Sequence, residues 1–198
     1  MHMTTPQRRL DAAALKGLAH PLRVDILDSL AMAGPATASL LADRLGESSG
    51  ATSYHLRQLA RHGFVEEDPD RGTGRERWWR MVPGGLTLAA TDMREDRAAM
   101  DSTILVARQF ADQRARHVDT FLRRGEAELG PAWVDSSMLI SASVRMTAHE
   151  LDELTDAVEA FVSERLTPFR DREEPPEAKV VALHVNAFPV VGVDGDGS

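Results

Sequence analysis

Between His20 and Gly63 the chain is cut at Pro21, Gly34-Pro35, Gly46 and Gly63 into segments of roughly ten residues, and this punctuation constrains the fold more than any other feature. Each segment carries apolar residues at helical spacing. Leu22, Ile26, Leu27 and Leu30 stripe the first, Leu40, Leu41 and Leu45 the second, and Thr52, Leu56 and Leu59 the third. Upstream, Leu10, Leu15 and Leu18 give a further helix that breaks at His20, because a residue before proline is pushed out of the helical region. Pro21 then suits the first position of the next helix, and Gly34 its end. The pattern predicts helices over 21–33, 36–45 and about 49–62, with Glu47-Ser48-Ser49 opening the last.

Two short helices joined by a glycine-containing turn are a helix-turn-helix candidate. A hairpin comes next along the chain: a strand at 64–67, a loop of turn formers at 68–74, and a return strand at 75–82 that holds Trp78-Trp79. Pro83-Gly84-Gly85 closes a first domain spanning 8–85.

The helices, the hairpin and the residues within them resemble the winged helix-turn-helix of ArsR-type bacterial transcriptional regulators. Leu18-Ala19-His20-Pro21-Leu22-Arg23, then Leu40-Leu41-Ala42-Asp43-Arg44-Leu45-Gly46, then Ser53-Tyr54-His55-Leu56-Arg57-Gln58-Leu59 carry the likeness in order and spacing. Gly63-Phe64-Val65 and the wing Gly74-Arg75-Glu76-Arg77-Trp78-Trp79 extend it to about residues 8–82. The resemblance implies a homodimeric regulator, usually a repressor, that binds an inverted-repeat operator in double-stranded DNA.

The residues support that expectation by themselves. If Thr52, Leu56 and Leu59 face the core, then Ser48, Ser49, Ser53, Tyr54 and Arg57 lie on the front of a recognition helix. Hydroxyls near a helix start reach phosphates, and arginine reaches a guanine edge or a phosphate. His55 lies beside the apolar seam, where a phosphate contact and a structural hydrogen bond are both open. Arg71, Arg75 and Arg77 would grip the flanking backbone from the wing, although strand alternation also lets Arg77 pair with an internal acid. Trp78 and Trp79 read as packing aromatics.

Taken whole, the net charge of −8 argues against DNA. Resolved by region, residues 1–90 hold 11 basic and 10 acidic side chains while residues 91–198 hold 12 and 21, so the acidity belongs to the second half. With no cysteine there is no disulfide framework and no thiolate metal site, which separates this chain from the ArsR-type proteins that sense metals through cysteine pairs. His149 with Glu153, and Asp112, His117 and Asp119, read better as solvated charged faces than as ligands; no cofactor and no metal are expected. No phosphate-binding glycine loop, nucleophile elbow or metal triad is present, so the chain does not read as an enzyme. It has no apolar run of membrane-spanning length and no leader, and is expected in the cytoplasm.

The second half predicts a mostly α chain with an α+β C-terminal part: a long helix, then strand, helix, strand, in a domain over 91–190 with a disordered tail at 191–198. From Thr91 to Leu129 there is no proline, and Met93, Met100, Ile104, Ala107, Ala111, Val118 and Phe121 fall on an a/d seam suited to dimerisation, or to packing on the helix's own domain. Met138, Ile140, Ala142, Val144 and Met146 alternate with Leu139, Ser141, Ser143 and Arg145 as in a half-buried strand. Thr147 and Glu150 make a capping box for a helix ending near Pro168, and a second strand is expected over 179–190. Trp133, Met138, Ile140, Met146, Phe161 and Phe169 either line a pocket for a small hydrophobic effector or fill a core. The alternative to effector control is a protein partner docking on the acidic C-terminal part.

Overall fold

The computed structural model describes residues 8–9, 12–72, 76–82, 86–87, 97–170 and 172–192. In order they form β1 (Arg8–Arg9), α1 (Ala12–Leu18), α2 (Pro21–Ala33), β2 (Ala36–Thr37), α3 (Ala38–Leu45), α4 (Ser49–Arg61), β3 (Val65–Glu67) and β4 (Trp78–Met81). Then come β5 (Leu86–Thr87), α5 (Arg97–Leu129), α6 (Pro131–Asp135) and α7 (Ala148–Arg170). The chain divides into two compact units at Gly130. The long helix α5 therefore goes with the N-terminal unit.

Helix boundaries in the first unit follow the local chemistry. His20 caps α2, its Nδ1 accepting from the Leu22 amide at 3.2 Å, with Pro21 at the first helical position. Thr37 caps α3 and Ser48 caps α4 through their hydroxyl oxygens. Gly46 closes α3 in the left-handed conformation, φ +69, where a side chain would be strained.

Helix α3 starts two residues later than the punctuation predicts, because Ala36 and Thr37 pair instead with Trp79 and Trp78. The wing hairpin thus becomes a three-stranded antiparallel sheet in the order β2-β4-β3, with Val65 opposite Met81 and Glu67 opposite Trp79. A two-residue strand has no period of its own, so only the tertiary partner reveals it. A separate parallel pair joins β1 to β5.

The core lies where α1, α2, α3, α4, the sheet and α5 converge. Leu15, Leu18, Ile26, Leu41, Leu56, Leu59 and Val106 have no exposed surface, and Trp79 closes the sheet side. Each such aliphatic side chain contributes about 1.5–3 kcal/mol relative to exposure. Helix α5 docks through Thr103, Val106, Phe110 and Gln113, spaced three and four apart. Gln113 donates to Asp25 at 3.3 Å, Arg116 pairs with the same carboxylate, and His117 meets Asp28 at 3.2 Å, so α5 is fastened to α2 by polar contacts as well.

In the second unit α7 begins with the expected capping box: Glu150 accepts from the Thr147 amide at 2.7 Å and donates its own amide to the Thr147 hydroxyl. The backbone amide of Thr147 holds the Glu150 carboxyl below its ordinary range. Helix α7 runs two residues past Pro168. The expected flanking strands join no ladder among the described residues: 137–147 and 178–190 run without helix, turn or bend. Among the described residues, no helix is long and apolar enough to cross a membrane.

Candidate nucleic-acid interface

Helix α4 presents two unlike faces. Thr52, His55, Leu56 and Leu59 are buried, while Ser49, Tyr54 and Arg57 are exposed and Ser53 is half-buried between them. The Arg57 guanidinium donates to Ser53 Oγ at 3.1 Å, which aligns it along the outer face without neutralising it. Ser48 uses an oxygen lone pair as the cap, accepting from the Ala51 amide, so its hydroxyl proton stays chemically able to reach an acceptor. The free amides of the first turn and the helix dipole favour an anion at this same end.

His55 belongs to the interior. It is 8% exposed, its ring lies 4.3 Å from that of His20, and Arg23 donates to its Nδ1 at 3.4 Å. Burial lowers its pKa, and the neighbouring His20 and Arg23 lower it further. The expectation that His55 contacts DNA is therefore corrected: the buried stripe of α4 is wide enough to take in position 55. Arg23 also donates to the Gly17 carbonyl at 2.7 Å, so one side chain ties the end of α1 to α4.

An open groove of about 410 Å³ runs beside α4, lined by Thr37, Ser39, Ser53, Arg57, Arg77 and Trp79 among others. It brings the start of α3, the outer face of α4 and the wing strand to one surface. Sequence reasoning does not single out Thr37 and Ser39 for this surface; the N-cap signature at Thr37 is the signal that could have found them.

The wing arginines are engaged with acids on their own hairpin. Arg77 pairs with Glu67 at 3.2 Å, Arg80 with Glu66 at 2.8 Å, and Arg71 with the buried Asp68 at 3.5 Å. Both Arg71 and Arg77 remain more than half exposed. At Gly72 φ is +92 and an added Cβ would lie 2.6 Å from Trp78, so the chain must turn here on a glycine to let the indole pack. Arg75 lies outside the described residues.

Residues 18–68 match the family of helix-turn-helix domains. The chain carries a helix-turn-helix domain. Comparison with curated proteins gives no significant match. Among solved structures it is similar to the transcriptional regulator Tm0710 from Thermotoga maritima, with 18% identity over 78% of this chain and 81% of that one, at a TM-score of 0.31. At that score the likeness carries no weight for function. Within the helix-turn-helix domain α3 is the first helix of the motif and α4 the second, the one that meets DNA edges in such motifs.

The other expected site residues lie elsewhere. On α5, Met100, Ile104 and Ala111 are exposed and Ala107, Val118 and Phe121 are half-buried; Met93 is outside the described residues. In the second unit Trp133 is half-buried, whereas Met138, Ile140, Met146, Phe161 and Phe169 are exposed and enclose no cavity within a single chain. His149 and Glu153 form an exposed pair at 3.7 Å, and no cluster of three metal-ligating side chains occurs among the described residues.

Proposed function

We propose that this protein is a sequence-specific DNA-binding transcription regulator of the ArsR type, acting as a repressor and binding an inverted-repeat operator as a homodimer. The observation that carries the reading is the outward face of α4, where Ser49, Ser53, Tyr54 and Arg57 stand beside the start of α3 and the exposed arginines of the wing. A 13-residue helix is about 20 Å long and fits the major groove, which is roughly 12 Å wide. Arg57 reads a base edge or a phosphate, the serines hold phosphates, and Arg71 and Arg77 exchange their hairpin acids for the flanking backbone. The seam of Met100, Ile104, Ala107, Ala111, Val118 and Phe121 pairs two α5 helices and sets the spacing of the recognition helices.

A small hydrophobic effector is the proposed control, and it would need a second subunit to close a site, since the candidate lining residues are exposed in one chain. Binding would act by changing the separation of the two α4 helices.

Selection of bound sequences from a random DNA pool tests the reading. An enriched inverted repeat is expected, with affinity falling steeply as salt rises. Arg57→Ala and Tyr54→Ala should each weaken binding by about 10- to 100-fold, the range for a lost base contact, with unchanged thermal unfolding. No enrichment, or full binding by Arg57→Ala, would overturn it.

A further inference from the structure

The second unit turns its apolar side chains outward. Among its described residues none is buried, and Ile140 is 75% and Val181 73% exposed. These residues lie in the two runs without helix, turn or bend, 137–147 and 178–190, which is the shape of extended chain. Each run exceeds the usual strand length of about five or six residues.

Their patterns match what a sheet requires. Positions 138, 140, 142, 144 and 146 are all apolar, and of the residues between them only Arg145 is charged. From 180 to 193 no residue is Asp, Glu, Lys or Arg. The acids of this unit are concentrated on α7 and in the loop after it, away from both runs. Leu154 and Phe161 on α7 are exposed as well, so the helix also lacks a cover for its apolar stripe.

One helix and two strands cannot enclose a core, since three strands or a packed helix layer is the minimum. The exposed apolar surface here is on the order of 1,000 Å², beyond the roughly 300–600 Å² patch that a monomer tolerates. It is comparable with the roughly 800 Å² that each partner contributes to a stable interface.

We infer that residues 138–146 and 179–190 pair with those of a second copy of this chain, giving a shared four-stranded sheet with the apolar stripes of two α7 helices laid on one face. The occupant is a second copy because the pattern is self-complementary. In an antiparallel pair about a two-fold axis, even positions of 138–146 fall opposite even positions, so every apolar side chain stays on one face. The near absence of charge in both runs removes the repulsion that two acidic subunits would otherwise meet there. A two-layer arrangement of helices on a sheet is then complete.

The shared sheet rests on the homodimer reading and gives that dimer an interface apart from the α5 seam. The test uses the full chain, measuring mass by light scattering and backbone protection by hydrogen exchange over a range of protein concentrations. The expected mass is twice the 21.7 kDa of one chain. Amides of 138–146 and 179–190 should be slow to exchange in concentrated samples and fast on dilution, while α2–α4 stay unchanged. The double variant Ile140→Asp with Val181→Asp should lose that protection and raise the dissociation constant about 10-fold or more, with α2–α4 protected as before, which separates lost pairing from misfolding. A dimer in which these amides are exposed, or protected regardless of concentration, would overturn this interface and leave the homodimer standing. So would a dimer dissociated by Ile104→Asp but untouched by the double variant. A wild-type chain that stays monomeric throughout would overturn both, and protection of these runs in a monomer by a bound hydrophobic compound would replace the second copy with a ligand.

Discussion

The two units of this protein treat the same kind of side chain in opposite ways. In the first, Leu15, Leu41, Leu56 and Leu59 are sealed inside one chain; in the second, Ile140, Val144 and Val181 stand in solvent. Apolar periodicity is present in both. It states which face of an element wants cover but not which chain supplies it, so the same pattern yields a finished core in one unit and an unfinished one in the other.

The strongest test of that contrast is a large-to-small pair. Leu59→Ala removes a fully buried side chain beneath the recognition helix and should lower the unfolding free energy by about 2–5 kcal/mol, independently of protein concentration. Ile140→Ala, at an exposed position, should move the unfolding of the first unit by less than about 0.5 kcal/mol, the usual range at surface sites. Denaturant titrations read at two concentrations decide it. Equal effects would mean that the second unit is packed within its own chain.

Gly17→Ala is expected to come next. In an exposed helix this change stabilises by about 1 kcal/mol. Here the new Cβ would lie 2.6 Å from the ring of His62, the residue that closes α4, so overpacking should reverse the sign and cost about 1–3 kcal/mol. A rise in melting temperature would show that α1 and the end of α4 are less tightly joined than the core of the first unit requires.

What is legible in the sequence is local. Pro21, Gly34, Gly46 and the serine before α4 mark real helix ends because each acts within one turn, and the Thr147–Glu150 box forms for the same reason. Long-range choices are harder to read. The strand at Ala36–Thr37 exists only through Trp78 and Trp79. Periodicity leaves His55 open because the edge of a helical stripe is set by what packs against it. On α5 the apolar seam from Met100 to Phe121 is plain, yet the stripe that meets the core includes Thr103 and Gln113, whose polarity hides it from a hydrophobic count. The wing arginines are visible in the sequence, but not that Glu66, Glu67 and Asp68 hold three of them.

Thr147→Ala should have a smaller effect, about 1 kcal/mol at the start of α7, the usual range for a lost N-cap. The check is faster exchange of the first-turn amides of α7 with no change in α2–α4. A melting shift of the first unit would mean that the two units unfold together and that the contrast between them is one of packing alone.

The smallest expected effect is one of pH, and it belongs to the first unit. Burial holds the pKa of His55 below 6.5, with His20 and Arg23 pushing the same way and Glu47 opposing. In the unfolded chain the ring titrates near its ordinary value. Above about 6.5 both states are neutral there and His55 adds no pH dependence. As pH falls through that value the unfolded state takes up the proton first, so the folded state loses stability until the buried ring also protonates. Arg23 N–H donates to Nδ1, which requires that nitrogen to be unprotonated, so the second protonation breaks the contact that joins α2 to α4. Melting temperature should therefore drop between about pH 7.5 and 5.5, and the drop should be smaller in His55→Gln, whose amide oxygen keeps an acceptor for Arg23 without titrating. If the variant has the wild-type slope, the acid sensitivity arises from other groups and His55 is not the titrating residue beneath the recognition helix.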